Sequence, residues 1–557
     1  MHTRMPIGID NFKKAKEGYY VVDKTILIRE LLDTHMEVSL FTRPRRFGKT
    51  LTMSMLEYFF SIDRATDSSH LFDNSAIEKA GPTYMQEKNK YPVIFLTLKE
   101  CAESSWEELF AQFKIMIQSE CKKHIYLLTS PYLLPDEQQQ FKRYCYGTAT
   151  EVEYKHSLSF LSLYLYRHFQ VKPIILVDEY DAPLQYAYTG GFYDKAMSFF
   201  RRWFSAALKG NESLNFAVLT GVLRIAKESI FSGLNNLAVY STLSDKCSDS
   251  FGFTNAEVQQ MAQDLGHLEK VAEIKQWYDG YTFGHTDMYN PWSVINYFAT
   301  DCTPAPYWVH TSNNSILKHM LSRADASKME ALQRLLNGQS IRTVIDDSVI
   351  YNDIERNDTA LYSLLLNTGY LKAIHKESTA NGLDIYDVQI PNEEIKRVYK
   401  REILMNLLQD KNINVFTDFQ LALLQGKGNQ VHQRLEEILL KMASCYDTSS
   451  TESFYHGLLL GLTSLLEGPT YHILSNRESG YGRFDLAIIP TNASHPGVIM
   501  EFKLASSVQE LQHKAQEALQ QIEDKAYATI FQRHHTQTVW KYGIAFHGKH
   551  VAILQNP

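Results

Sequence analysis

Four short, nearly continuous aliphatic runs constrain the fold of this chain most: VSLFT at 38–42, YPVIFLTL at 91–98, KPIILVD at 172–178 and NFAVLTGVLRI at 215–225. Stretches of helical spacing separate them. Strands that are apolar on both faces have no solvated side, so they belong in a parallel sheet with helices above and below. Residues 19–41 read as a short strand, an amphipathic helix and a second strand, which begins the same alternation.

The loop after the first run is FTRPRRFGKTLTMS, residues 41–54. A phosphate-binding loop has the form G-x-x-x-x-G-K-[ST] between a strand and a helix. Its backbone N–H groups, the helix N-terminus and the lysine surround phosphate, and its hydroxyl ligates magnesium. Gly48, Lys49 and Thr50 stand in the right places, with Leu51, Met55, Leu56 and Phe59 following at helical spacing. Arg43 fills the first glycine slot, so Pro44 is expected to fix the turn instead. Arg45 and Arg46 add positive charge where an anion would sit. The expected nucleotide-contacting segment is therefore Arg45, Arg46, Phe47, Gly48, Lys49, Thr50 and Leu51. A basic surface turn with a chance G-K-T is the competing reading.

The run IILVDEYD decides between them. A buried strand that delivers Asp178 at its C-terminal end supplies a second magnesium ligand beside Thr50, and Glu179 can polarise the attacking water. Acidic strand ends are common; it is the two motifs in this order, each on the right element, that point to a nucleotide. Arg224, just past the last aliphatic run, is a candidate for the γ-phosphate, with a surface ion pair as the alternative. Asp23 and Lys24 precede a helix where adenine contacts occur, although capping explains them equally.

Together, MPIGIDNFKKAKEGYYVVDKTILIRELL, RPRRFGKTLTMSML, ILVDEYDAPL and GVLRIAKESIFSGLNNL resemble the AAA-ATPase-like family of bacterial proteins over residues 5–290. In that family R-P-R-R-F-G-K-[ST] is the normal loop. The resemblance implies an additional-strand P-loop fold that binds ATP with Mg2+.

The C-terminal stretch GRFDLAIIP…GVIMEFKLA places Asp485 on one strand and Glu501, Phe502 and Lys503 on the next. Two carboxylates at the ends of adjacent strands can hold Mg2+ or Mn2+, which activates water and stabilises the leaving oxygen of a phosphodiester. Lys503 emerges on the same face as Glu501, because strand side chains repeat every two residues. Glu452, on the preceding helix, is the first candidate to complete the site and Glu478 the second; His456 lies one turn beyond Glu452. The expected catalytic set is Glu179, Asp485, Glu501, Lys503 and Glu452, and the metal set is Thr50, Asp178, Asp485 and Glu501. An ordinary strand edge is the plain alternative. The stretch resembles the PD-(D/E)xK nuclease domain over residues 450–545, including ALQQIEDKAYA, where Gln521 and Tyr527 are expected on a helix.

A chain of 557 residues exceeds one hydrophobic core. The expected division is a P-loop domain at 1–253, a helical lid at 254–345, a winged-helix-like and helical linker at 346–440, and a restriction-endonuclease-like α/β domain at 441–557. In the linker, residues 360–404 read as helix, strand, turn, strand, helix; Lys396, Arg397, Lys400 and Arg401 there offer either a DNA contact or a solvated helix face. A net charge of −7 gives no whole-chain attraction to nucleic acid. Six scattered cysteines without a C-x-x-C pair suggest reduced thiols in the cytoplasm. No run of about 18 apolar residues suggests a membrane span. The first functional expectation is an ATP-controlled, metal-dependent nuclease acting on DNA or another nucleic acid, with homo-oligomerisation open. The second is an ATP-controlled switch whose nuclease-like domain docks a partner without cutting.

Overall fold

The computed structural model describes residues 4–556 apart from 226–229, 232–235, 309–330, 333, 337, 347–357, 380–383, 409–413, 442–451, 464–465, 467–469 and 535; at 358, 401, 403–408, 414, 441, 452–454, 457, 476–477 and 533–534 it describes the backbone alone. It divides into two compact units, Met1–Ser312 with Arg342–Ile395, and Asn313–Ile341 with Lys396–Pro557.

The first unit is built on five parallel strands: β1 (Val38–Thr42), β2 (Val93–Thr97), β3 (Ile174–Asp178), β4 (Ala217–Gly221) and β5 (Leu237–Tyr240), in the order β2-β3-β4-β1-β5. Alternate residues of each strand enter opposite cores. Leu40, Val177 and Leu219 pack with Phe113 and Trp203; Phe41, Leu176 and Val218 pack with Phe59 and Phe60. That double burial is why the runs are unbroken, and each such side chain contributes roughly 1.5–3 kcal/mol. β4 lies between the strand that leads into the phosphate loop and the strand that carries Asp178, as the additional-strand arrangement requires. The loop runs directly into helix α1 (Lys49–Phe60).

One expectation fails here. No strand forms at 19–25; helix Phe12–Gly18 precedes that segment, and the Tyr20 hydroxyl ties it down by donating to Asp264 at 2.7 Å. The region after 254, helical for the most part, also holds short strands. β6 (Phe253–Thr254), β7 (Tyr281–Phe283) and β8 (Thr286–Tyr289) make a small antiparallel sheet, followed by helix α2 (Pro291–Ala299). The stretch 360–404 does form the expected helix (Asp358–Asn367), β10 (Lys372–Ser378), β11 (Asp384–Gln389) and helix α3 (Glu393–Leu408). A strand from upstream, β9 (Ile341–Val344), joins it in the order β10-β11-β9. Lys400 is buried, so the basic residues of α3 do not form one solvated face.

The second unit carries a five-stranded sheet in chain order: β12 (Tyr471–Ser479), β13 (Gly482–Pro490), β14 (Gly497–Leu504), β15 (Val539–His547) and β16 (His550–Asn556). Only β14 and β15 run parallel, and helix α5 (Leu511–Asp524) supplies their crossover. One face packs on helices Asn414–Leu424, Gly428–Lys441 and α4 (Glu452–Thr463); the other packs on α5 through Leu519 and Ile522. β15 and β16 form a hairpin in which Gly548 turns the chain at φ +59. Among the described residues, no helix is long and apolar enough to cross a membrane. The five described cysteines are buried and free.

Candidate functional sites

Arg43 is not a damaged glycine. Its guanidinium is fully buried and donates to the carbonyls of Thr42 at 2.9 Å, Tyr240 at 2.7 Å and Cys247 at 2.9 Å. It lies over the rings of Phe283 and Phe251, and burial lowers its pKa to about 10, which leaves it charged at neutral pH. The first loop position is thus a cationic post that gathers three carbonyls from separate segments. Phe47 anchors the other side of the loop. Its ring is buried against Tyr281 and Phe283, and its carbonyl accepts from Gly252 N–H at 3.1 Å. A Cβ at Gly252 would strike the Phe47 ring at 2.9 Å. The small sheet missed in the sequence is therefore the backing of the phosphate loop.

Between these anchors the backbone is open. Among the described residues, no main-chain carbonyl accepts from the N–H of Arg45, Arg46, Phe47 or Gly48. Gly48 caps α1 at φ +85, a conformation that favours glycine. Lys49 is buried; its Nζ donates to the carbonyls of Arg43 and Pro44, each at 3.2 Å, and lies 3.5 Å from Glu179. Thr50 Oγ1 donates to Asp178 Oδ2 at 2.7 Å. That hydroxyl–carboxylate contact is the pair through which magnesium would be held, and the donor set suits a hard cation. Burial is the main force raising the Asp178 pKa, with Glu179 adding to it and the hydroxyls of Thr220 and Thr50 and the charge of Lys49 opposing.

The remaining sequence candidates divide. Phe47 and Leu51 can serve a nucleotide only through their backbone, since the Phe47 ring is enclosed and Leu51 packs into a core. Arg45 donates to Gln185 at 2.8 Å. Arg46 lies with its guanidinium 4.2 Å from the centre of the Trp292 ring. Arg224 sits just beyond β4, half-buried, near Tyr180. Asp23 caps the backbone of Thr25 and Ala76, and Lys24 pairs with Glu257 at 2.7 Å, so both are structural.

Two residues of this site escaped sequence reasoning. Thr220 Oγ1 donates to Asp178 Oδ1 at 2.6 Å, locking the carboxylate from the second side. Asp181 is buried and accepts from the N–H groups of Val222 and Leu223 at 3.0 and 2.8 Å, which ties the segment leading to Arg224 onto the acidic strand end. Burial, with the charge of Glu179, raises its pKa to about 6. The available signal was a polar threonine closing an apolar strand and a second aspartate three residues after the first.

In the second unit, Leu486 pairs with Met500, and continuing that register sets Asp485 opposite Glu501. The ladder stops there. Phe484 belongs to the core under α5, whereas Leu486 belongs to the opposite core, so the in–out alternation of β13 slips at Asp485. Its carboxylate turns into the gap and accepts from Phe502 N–H at 2.7 Å. Glu501 is buried, accepts from Gln521 Nε2, and has Lys503 Nζ 3.7 Å away. Gln521 also donates to the Tyr527 hydroxyl at 3.1 Å. The structure thus brings Asp485, Glu501 and Lys503 together at this gap. Gln521 holds the glutamate, and Tyr527 lies in a short 3-10 segment after α5, not on α5 itself.

His456 Nε2 lies 3.1 Å from the Asp485 carbonyl and 2.9 Å from Ser475 Oγ, and burial lowers its pKa. It therefore fixes the strand at Asp485. Glu478 is exposed, in register with Arg483, and does not join the cluster. Glu452 begins α4, but its side chain lies outside the described residues. Among the described residues, no group of three metal-ligating side chains forms. Among the described residues, two carboxylates, Asp485 and Glu501, are what this site offers a divalent ion.

Both domains match known families. Residues 6–231 match the family model described as "Predicted AAA-ATPase", and residues 450–556 match that of the PD-(D/E)XK nuclease superfamily. The chain thus joins an AAA-ATPase-like domain to a PD-(D/E)XK nuclease superfamily domain. It is also 24% identical, over 546 residues, to an "Uncharacterized protein in vnfD 5'region" of Azotobacter chroococcum mcd 1, a similarity that spans 94% of this chain and 93% of that one.

Proposed function

We propose that the protein binds and hydrolyses ATP and that this cycle controls metal-dependent cleavage of nucleic acid, DNA first, by the C-terminal domain. The convergence of Asp485, Glu501 and Lys503 at the gap between β13 and β14 carries the reading. In the first unit, Lys49 and the loop N–H groups hold the outer phosphates, and Glu179 accepts a proton from the attacking water. Bound magnesium, held by Thr50 and Asp178, would neutralise charge on the phosphate oxygens. In the second unit, divalent ions on Asp485 and Glu501 would activate water and stabilise the leaving oxygen, while Lys503 meets the charge that develops on the phosphate. Buried free thiols suit a reducing, cytoplasmic setting.

Single- and double-stranded DNA and RNA, incubated with Mg2+ or Mn2+ with and without ATP, test this directly. Wild type is expected to cut DNA, and Asp485→Ala to stop cutting while ATP turnover continues. Nucleotide-dependent oligomerisation with no cleavage of any substrate would replace this reading with the switch.

A further inference from the structure

The three loop arginines have different fates. Arg43 is enclosed among carbonyls, and Arg45 is engaged by Gln185. Arg46 alone of the three remains exposed, and its backbone sits at φ +70. A non-glycine residue in the left-handed region costs on the order of 1 kcal/mol or more and persists where the surroundings demand it. Glu179 is in the same condition, at φ +54. Two strained residues of opposite charge therefore flank Lys49, and the Arg46 guanidinium is close enough to feel the Glu179 carboxylate.

The direction of the Arg46 side chain is set from outside the loop. Its guanidinium stacks on Trp292, at the start of α2, 4.2 Å from the ring centre. The Trp292 ring is itself fixed, because Nε1 donates to the Tyr307 carbonyl at 3.2 Å. The next residue, Trp308, donates from its own Nε1 to the Arg45 carbonyl at 3.3 Å. Its backbone N–H donates to the buried Glu394 at 2.8 Å. One short segment thus braces both the stacking ring and the loop backbone beside Arg46.

We infer that Arg46 is a catalytic arginine supplied in cis, contacting the terminal phosphate, and that Trp292 is its positioning residue. This rests on the proposal that the first unit hydrolyses ATP. The water oxygen forms a bond to the γ-phosphorus as the bond from that phosphorus to the β–γ bridging oxygen breaks. The electron pair of the broken bond leaves on ADP, and the water proton passes to Glu179 and then to solvent. Arg46 meets the charge that gathers on the phosphoryl and bridging oxygens, as a planar fork suits.

The full chain carrying Arg46→Ala, Arg46→Lys, Trp292→Ala or Trp292→Phe is assayed for ATP kcat and KM. Affinity is titrated separately for ADP alone and for ADP with aluminium fluoride, which mimics the transferring phosphoryl group. Arg46→Ala is expected to lose on the order of 1000-fold in kcat, with a matching selective loss for the fluoride complex. ADP affinity and KM should move less than about three-fold, since the interaction belongs to the transition state. Arg46→Lys should recover little. Trp292→Ala should lose about ten-fold in kcat, and Trp292→Phe, which keeps an aromatic face, should stay within about three-fold of wild type. Arg46→Ala with wild-type kcat and wild-type fluoride-complex affinity overturns the inference, as does equal loss in both Trp292 variants. Retained ADP affinity certifies the fold of each variant, and if Trp292→Ala does not fold, the Arg46 variants decide. A wild type that binds no ADP defeats the ATPase proposal as well, whereas normal turnover in Arg46→Ala defeats this inference alone.

Discussion

The two candidate sites use the same pair of charges in inverted order. At the phosphate loop, Lys49 is the buried partner and Glu179 the accessible one, at 3% and 23% exposure. At the C-terminal sheet, Glu501 is buried and Lys503 accessible, at 4% and 31%. Each site buries the charge opposite to that of its proposed ligand. A buried ammonium resting on two carbonyls is a receptor for anionic phosphate; a buried carboxylate held by an amide is a receptor for a metal cation. Burial sharpens either attraction by lowering the local dielectric, and the neighbouring dipoles keep the buried charge tolerable. The accessible partner is then free to act on the reacting atoms.

The inversion breaks most visibly if the two sites are not separable. Lys49→Ala should lower ATP turnover by about 100-fold or more, and Glu501→Gln should lower cleavage of DNA by a similar factor. Glu501→Gln should leave ATP turnover unchanged. Measuring both activities in both variants checks this; loss of ATP turnover in Glu501→Gln would show that the pairs are not independent receptors.

A second contrast concerns what each site is built upon. The loop is assembled around buried Arg43, which alone satisfies carbonyls of three residues. Arg43→Met keeps the length but not the donors, and should destabilise the first unit by about 3 kcal/mol, because buried acceptors are left unpaired. Chemical denaturation of wild type and variant reads this directly. Among the described residues, the C-terminal site has no such buried cation, and the Gln521 side-chain amide donates to its buried Glu501. Gln521→Ala should leave stability nearly unchanged and lower metal-dependent cleavage by roughly 10–100-fold, the usual cost of removing a residue that orients a metal ligand. Retained metal affinity with retained cleavage would show that Gln521 is incidental.

How much of this could be read in advance followed from sequence distance. Gly48, Lys49, Thr50 and the Asp178–Glu179 strand end are local patterns, and the β1–β4 runs announced the sheet because burial on both faces leaves a run of aliphatic residues. Arg43 looked like a defect because Tyr240 and Cys247, which explain it, lie some two hundred residues onward. The Phe47 slot was invisible for the same reason, as its walls at Tyr281 and Phe283 belong to a sheet of very short strands with no strong period. In the second unit, Asp485, Glu501 and Lys503 were legible. The slip of alternation at Asp485 was not, since a period-two reading assumes an unbroken pleat. Gln521 was expected on a helix of this domain, but its hold on the Glu501 carboxylate could not be read from spacing alone.

The smallest effect tests the rule from its exception. Glu394 is a fully buried carboxyl group in the first unit, and among the described residues no ion pair to a cation forms at it. It accepts from the Ser293 hydroxyl and the Trp308 N–H, and burial raises its pKa to about 7. Because the folded pKa lies above the unfolded value near 4.3, the folded state holds a proton that the unfolded state has already released between those values. Its contribution is therefore fully present below about pH 4 and is lost as pH rises through about 7. Between pH 6 and pH 8 the loss should be about 1 kcal/mol. Glu394→Gln keeps acceptor oxygen for the same donors and carries no titrating group. Its stability, followed by thermal unfolding across that range, should be flatter than wild type by about that amount. Equal slopes would mean that Glu394 is already charged at pH 6, and that this unit tolerates a buried anion without either a ligand or a proton.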